Sequence, residues 1–224
     1  MQVSISQFLN DLSNRLGVDA TEEGIRELYS NVFGGRQAEG FFADKVVIVE
    51  GESEKNVLDI LAPVMGVDFN KKNIGVVVAG GKGHIDRLIR LFGAFSIPCY
   101  VIIDSDTGEG SSVSARDKTA ELMSLMSEET FSVNDPQTII AQRIAVLSPD
   151  LEAVLGGDSP EYQAYYNQAS EHIGPCGKPV KHRYACKRLA NLLGDNAQNS
   201  NLVSLLSVIR AIDELDSHLD ILEL

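Results

Sequence analysis

The chain has 224 residues, of which 44% are hydrophobic, and its formal net charge at pH 7 is −13. This length suffices for one sizeable domain with a helical extension, and the acidic charge argues against a general nucleic-acid-binding protein, whose surface is usually basic. No run of about 18 apolar residues occurs, residues 1–5 do not resemble a signal peptide, and three cysteines are too few for a disulfide framework. We therefore expect no transmembrane helix, no membrane partner and a cytoplasmic location.

Apolar periodicity predicts helices in the first forty residues, the last of them ending at Gly34 and Gly35. A strand-and-helix alternation follows, and strands separated by helices indicate right-handed crossovers and a parallel sheet. The predicted strands are 45–50, 74–79, 98–103 and 144–147, with helices at 53–65, from 85 onward and near 113–127. Further helices are predicted at 151–155, 160–172, 179–193 and 201–216. We thus expect an N-terminal helical segment (1–40), an α/β core (41–152) and a helical region (153–224).

Acidic residues follow three of the predicted strands. Each acidic pair is closely spaced along the chain, and the carboxyl ends of parallel strands form the ligand-binding edge of an open α/β sheet. Clustered carboxylates raise one another's pKa values, and divalent cations such as Mg²⁺ or Mn²⁺ relieve that repulsion. The set comprises Glu50, Glu54, Asp104, Asp106, Asp150 and Glu152. It is large enough for two ions, although single acids at strand ends also serve as helix caps.

Two further features are candidates for contact with phosphate. The glycine-rich loop 80–84 follows the second strand, so the Gly81 amide and the Lys82 side chain are candidates, although a tight turn explains its glycines equally well. Residues 172–194 contain no acid and carry several basic side chains that could hold a nucleic-acid backbone. These are Lys178, Lys181, Arg183, Lys187 and Arg188.

Segment 41–54 (FFADKVVIVEGESE), followed by the D-x-D at 104–106, resembles a Toprim domain. Toprim domains carry a glutamate after the first strand and D-x-D after the third. The Phe-Phe-Ala-Asp-Lys lead-in, the second acid Glu54, the Ser-Pro-Asp-Leu-Glu segment 148–152 and the later Gly-Lys-Pro resemble the C-terminal region of OLD-family (overcoming lysogenisation defect) nucleases. The resemblance covers roughly residues 38 to 190 and implies a Rossmann-like parallel sheet flanked by helices.

The resemblance also implies a function and assigns roles to residues. It implies a DNA endonuclease that uses two Mg²⁺ or Mn²⁺ ions, with the six carboxylates around the ions and Ser148 as an extra contact. Glu50 and Asp104 would be catalytic, and Lys178 would correspond to the catalytic lysine of the family. Full-length members carry an ATPase domain, but this sequence contains no G-x-x-x-x-G-K-[ST] motif and hence no ATP site. We therefore expect residues 1–40 to be the remnant of a connection to an absent ATPase domain.

Two other functions remain open at this point. Another Toprim activity, of the topoisomerase or primase kind, would need a nucleophilic tyrosine or a zinc module, and nothing in the sequence marks either. A RecR-like scaffold would bind DNA without catalysis, but such a scaffold does not require six carboxylates at one sheet edge.

Overall fold

A computed structural model describes residues 21, 23–24, 26–27, 34–107, 112–126, 137–156, 159–173, 183, 186–187 and 200–215. The strands are β1 (Lys45–Val49), β2 (Ile74–Val78), β3 (Cys99–Asp104), β4 (Ile139–Ile140) and β5 (Ile144–Leu147). The helices are α1 (Gly35–Ala38), α2 (Glu52–Val64), α3 (Ile85–Ala94), α4 (Val113–Met126), α5 (Leu151–Val154), α6 (Pro160–Ile173) and α7 (Ser200–Glu214). Short 3₁₀ helices cover Glu39–Phe42 and Lys82–His84.

The strands form one sheet in the order β2-β1-β3-β5-β4. Strand β1 pairs in parallel with β2 and β3, and β3 pairs in parallel with β5, which confirms the predicted α/β fold. The sheet is nevertheless mixed, because β4 is antiparallel to β5. The sequence does not predict β4, since a two-residue strand is too short to give a periodic signal. The parallel pairing places the carboxyl ends of β1, β3 and β5 side by side.

Successive residues of the central strands point to opposite faces of the sheet, and both faces are covered by helices. On one face, Val47 and Val49 pack in a cluster with apolar side chains of α2 and α7. On the other face, Val46 and Ile48 pack with side chains of α3 and α4. Burial on both faces explains why β1 is apolar throughout after its first residue.

The C-terminal helix α7 belongs to the core that covers the sheet. Its residues Val208, Ile209 and Ile212 are buried in the same cluster as the inward side chains of β1. The Lys45 ammonium, at the start of β1, donates to the carbonyl oxygens of Asp213 (2.9 Å) and Leu215 (2.7 Å). A cation at the carboxyl end of a helix satisfies carbonyls that have no partner within the helix and interacts favourably with the helix dipole.

We expect Lys45→Met to lower the free energy of unfolding by about 2 kcal/mol, because carbonyls at the end of α7 lose a charged donor. Urea unfolding followed by circular dichroism measures the change. Lys71→Met is the matched control, since that lysine side chain is 84% exposed and pairs with Asp68 three residues away. Equal stability of the two variants would contradict the role given to Lys45.

The helix predicted to end at Gly34 and Gly35 is not described over its last residues, 28–33, so its end stays a prediction. Gly34 is the N-cap of the next helix, α1, and its amide donates to the Gln37 side chain at 3.0 Å. The helix predicted around residues 8–16 lies outside the described residues. Among the helices that are described, none combines the length and the apolar character that crossing a bilayer requires.

Candidate functional site

Three chain segments bring acidic residues to the carboxyl edge of the sheet. Glu50 directly follows β1, Asp104 is the last residue of β3, and Asp150 is the N-cap of α5, just beyond β5. The register places Asp104 opposite Leu147, the last residue of β5. The three predicted acid pairs therefore meet at one edge because parallel strands end together there.

The turn between β1 and α2 holds Glu54 against the backbone. The Gly51 amide donates to Glu54 Oε2 at 2.9 Å, and the Glu54 side chain is only 6% exposed. Gly51 has an extended backbone (φ −142°) that any residue adopts, so a positive φ is not the reason for glycine here. A Cβ atom at Gly51 would lie 3.3 Å from Glu54 Oε2. Glycine instead gives the glutamate room to approach the amide.

The loops after β3 and β5 are joined to each other. Asp104 Oδ1 accepts a hydrogen bond from the Leu151 amide at 2.9 Å. Asp106 has a left-handed backbone (φ 54°), which aspartate tolerates better than most residues, and its amide donates to the Pro149 carbonyl at 3.3 Å. The buried Ser105 hydroxyl donates to the Ser148 hydroxyl at 3.3 Å. Ser148 therefore lies in a hydroxyl network behind the acids.

The acids surround an open cleft of about 350 Å³. Its acidic lining consists of Glu50, Glu52, Glu54, Asp104 and Glu152. Asp106 and Asp150 have other contacts: Asp106 is paired with Lys82, and Asp150 Oδ1 accepts from the Ala153 amide at 2.8 Å. Helix capping, the alternative function of acids at strand ends, therefore applies to Asp150.

Lys82 lies inside the acidic cluster. Its side chain is 7% exposed, and its ammonium donates to the Asp104 carbonyl (2.6 Å), to the Thr119 hydroxyl (2.9 Å) and to the Asp106 carboxylate. The distance from Lys82 Nζ to Glu50 Oε2 is 3.9 Å. Lys82 is therefore an internal counter-charge for the carboxylates.

The predicted phosphate contacts of the glycine-rich loop do not fit this geometry. Gly81 does need glycine, since its φ is 131°, but its amide donates to the Glu50 carbonyl at 3.1 Å. The Lys82 ammonium is buried among protein oxygens. Neither group is presented to a phosphate, and the loop instead joins β2 to the back of the acidic cluster.

Burial and mutual repulsion raise the pKa of two carboxyl groups. Burial is the largest cause for Asp104, and with the charges of Glu54, Glu50, Asp150 and Glu152 it raises the Asp104 pKa to about 8. The Glu50 pKa is also raised, chiefly by burial; Lys82 opposes this increase, and Asp106 and Glu54 add to it. The cluster therefore holds its negative charge at a cost that a bound cation would remove.

One oxygen of the cluster lacks a hydrogen bond. Within the described part of the chain, Glu50 Oε2 is buried and has no hydrogen-bond partner, with Lys82 no closer than 3.9 Å. The surrounding donors are oxygens, the ligand type preferred by Mg²⁺ and Mn²⁺. In the same part of the chain, no three acidic, histidine or cysteine side chains converge closely enough to hold an ion as they stand. The oxygen-rich donor set therefore fits the chemistry of a hard cation.

The basic segment is only partly described. Lys178, Lys181 and Arg188 lie outside the described residues, so their predicted roles stay predictions. Arg183 is exposed and pairs with Asp59 of α2 at 2.8 Å, beside a separate cavity of about 310 Å³ along β2. Lys187 is exposed as well. The structure does not bring Arg183 into the acidic cleft.

Sequence reasoning missed Thr119. This residue is fully buried in α4, and its hydroxyl accepts from Lys82 and donates to the Ala115 carbonyl at 3.1 Å. A single threonine in a helix carries no motif. The available signal was a polar residue among the inward positions of α4, next to Leu122 and Met123.

Comparison with known families and proteins shows what part of this chain is similar to. Residues 41–106 match the family model described as "Overcoming lysogenization defect protein-like, TOPRIM domain". A protein named OLD nuclease from Thermus scotoductus is 28% identical to this chain over 158 residues, which are 65% of this chain and 30% of the relative. The chain therefore spans about a third of the length of that relative.

Two solved structures have a similar fold. The C-terminal region of the Burkholderia pseudomallei OLD protein matches with a TM-score of 0.52 and 16% identity, covering 78% of this chain and 100% of that one. The corresponding region of the Xanthomonas campestris pv. campestris OLD protein matches with a TM-score of 0.50 and 16% identity, covering 77% and 95%. At this identity the matches establish the fold alone.

Proposed function

Because residues 41–106 match the family model of an OLD-like TOPRIM domain, we propose that this chain is a divalent-metal-dependent DNA endonuclease that hydrolyses phosphodiester bonds. The observation that carries the proposal is the cleft in which acids from the ends of β1, β3 and β5 meet. The buried Glu50 Oε2, which has no hydrogen-bond partner in the described part of the chain, supports the same conclusion. DNA is the proposed substrate, and an ATPase domain outside this sequence is the proposed partner.

The proposed metal ligands fall into two groups. Glu50, Glu54, Asp104 and Glu152 line the cleft, while Asp106, Asp150 and Ser148 flank it. When bound, Mg²⁺ or Mn²⁺ ions activate water and stabilise the leaving oxygen of a phosphodiester, and two ions do so from both sides of the bond. The acid set is large enough for two.

The acids also control protons in the cleft. With a pKa of about 8, the Asp104 carboxyl is largely protonated at neutral pH when no cation is bound. Cation binding requires its deprotonated form, so binding at neutral pH releases a proton from this site. Glu50 has a raised pKa for the same main reason, which is burial. Asp104 would thus change charge as the site is loaded, and we assign both Asp104 and Glu50 a catalytic role.

The basic residues have a proposed role in holding DNA. Lys178 would neutralise charge on the reacting phosphate, and Lys181, Arg183, Lys187 and Arg188 would contact the backbone. Among them the structure describes Arg183 and Lys187, both exposed. Arg183 would have to exchange its ion pair with Asp59 for a phosphate.

We expect supercoiled plasmid incubated with the protein and Mn²⁺ or Mg²⁺ to be converted to nicked and then linear DNA, and excess EDTA to stop the conversion. Agarose gel electrophoresis measures the products. Relaxed closed circles with protein covalently attached would instead indicate a topoisomerase. DNA binding without turnover in either ion would indicate a scaffold. Both results would contradict the proposal.

A further inference from the structure

The acidic cluster has two chemically different sides. On the cleft side, Glu54 and Glu152 belong to the lining of the cleft, and the described residues place no basic side chain there. On the other side, the Asp106 carboxylate is paired with the buried Lys82 ammonium. Asp104 belongs to both sides, because its carboxylate lines the cleft while its carbonyl accepts from Lys82.

The three N–H groups of the Lys82 ammonium are all used. They donate to the Asp104 carbonyl, the Thr119 hydroxyl and the Asp106 carboxylate. An ammonium has three donors, so none remains for another acceptor. This accounts for Glu50 Oε2, which lies 3.9 Å from Lys82 Nζ and yet has no hydrogen bond among the described residues.

The position of the Lys82 ammonium is set by its contact with α4 and by the backbone of the preceding residue. Thr119 is fully buried in α4, and its hydroxyl accepts from Lys82 while donating to the Ala115 carbonyl. Lys82 itself follows the positive-φ residue Gly81, whose amide is bonded to the Glu50 carbonyl. Lys82 is therefore held at both ends: by the backbone hydrogen bond of the preceding Gly81 and by the hydrogen bonds of its own ammonium group.

We propose that Lys82 is a positioning residue that separates the two sides of the metal site, because a divalent cation binding Asp106 has to compete with the lysine ammonium for the carboxylate. Cations then bind first on the cleft side and more weakly on the Asp106 side. Repulsion between the ammonium and a nearby divalent ion acts in the same direction. This inference rests on the proposed function and adds to it the order in which the two sides of the site bind cations.

The test is a Mn²⁺ binding isotherm, recorded from the electron paramagnetic resonance signal of free Mn²⁺. We expect Lys82→Met to tighten the weaker class of sites by about tenfold, which corresponds to about 1.4 kcal/mol. Lys118→Met is the matched control, because Lys118 is adjacent to Thr119 in sequence but pairs with Asp86 and Glu121. This control removes the same charge and should leave the isotherm unchanged.

Thr119→Val keeps the inference testable if Lys82→Met does not fold. It removes the hydroxyl that holds the ammonium and preserves the shape of the side chain. We expect it to tighten the weaker class by about threefold, with folding checked by circular dichroism in EDTA. A merely structural role of Lys82 or Thr119 would weaken Mn²⁺ binding or leave it unchanged.

The outcomes separate this inference from the proposed function. If the wild-type protein binds Mn²⁺ but neither variant tightens the weaker class, the inference fails while the metal site stands. If Lys82→Met raises the KM for DNA without changing Mn²⁺ affinity, Lys82 is a substrate ligand and the inference is wrong. If the wild-type protein binds no Mn²⁺, the proposed metal-dependent function fails, and the inference fails with it.

Discussion

Asp104→Asn should reduce metal-dependent DNA cleavage by on the order of a thousandfold, because the substitution removes a charged oxygen where the loops after β3 and β5 meet. Asparagine retains an oxygen that can accept from the Leu151 amide, as Asp104 Oδ1 does at 2.9 Å. The loss should therefore reflect charge and not a displaced loop. Plasmid nicking in Mn²⁺, measured over a range of ion concentrations, gives the rate.

The matched control for this experiment is Asp117→Asn. Asp117 is an exposed aspartate of α4, so its substitution makes the same chemical change outside the cluster. Cleavage by this variant should equal that of the wild-type protein. Full activity of Asp104→Asn in Mn²⁺ would refute the assigned site, whatever the activity of the other variants.

In EDTA, the wild-type protein should lose stability as the pH rises from about 4 to about 8. The folded-state pKa of Asp104 is about 8, against an ordinary value of 3.8, so the folded protein binds more protons than the unfolded chain between these values. Stability then falls with rising pH, and it is greatest below the unfolded pKa. Glu50, whose pKa is also raised, contributes with the same sign. We expect a loss on the order of 2 kcal/mol, allowing for partial contact with solvent.

The same asparagine substitution isolates the contribution of Asp104. Asp104→Asn should be more stable than the wild-type protein at pH 8 in EDTA and should lose less stability between pH 4 and pH 8. Thermal unfolding across this range, with Asp117→Asn in parallel, measures both differences. Added Mn²⁺ should stabilise the wild-type protein at pH 8 much more than the variant. A wild-type protein more stable at pH 8 than at pH 5 in EDTA would show that the sign is wrong.

According to these two predictions, the acidic residues of the site lower the stability of the folded protein when no ion is bound. Asp104 is half-buried beside four other acids, and only part of that charge is compensated by Lys82. If stability alone determined the residue at this position, an uncharged side chain would be favoured there. An activity loss combined with a stability gain on Asp104→Asn would therefore be characteristic of a functional carboxylate.

The sequence by itself determined the parallel strands of the sheet and the position of the acids along the chain, but not the antiparallel strand β4. Largely apolar strands such as Lys45–Val49 and Cys99–Asp104 are buried on both faces. Burial on both faces requires a continuous apolar run, which can be recognised from the sequence alone. Because parallel strands end at one edge, the acids after β1, β3 and β5 could be placed together. The assignment of metal ligands among them stays a prediction.

Only the tertiary structure decided what each side chain near that edge contacts. Lys82 belongs to a glycine-rich loop for which the sequence predicts a phosphate contact. In the structure, its ammonium instead donates to Asp106 and to Thr119, which is 37 residues further along the chain. Asp150 caps α5, and α7 completes the core beside β1. Contacts between segments distant in sequence depend on strand register and side-chain direction, which local periodicity does not encode. The amino-acid sequence thus determined where along the chain the charged residues are concentrated. The tertiary structure decided which of these residues contact each other.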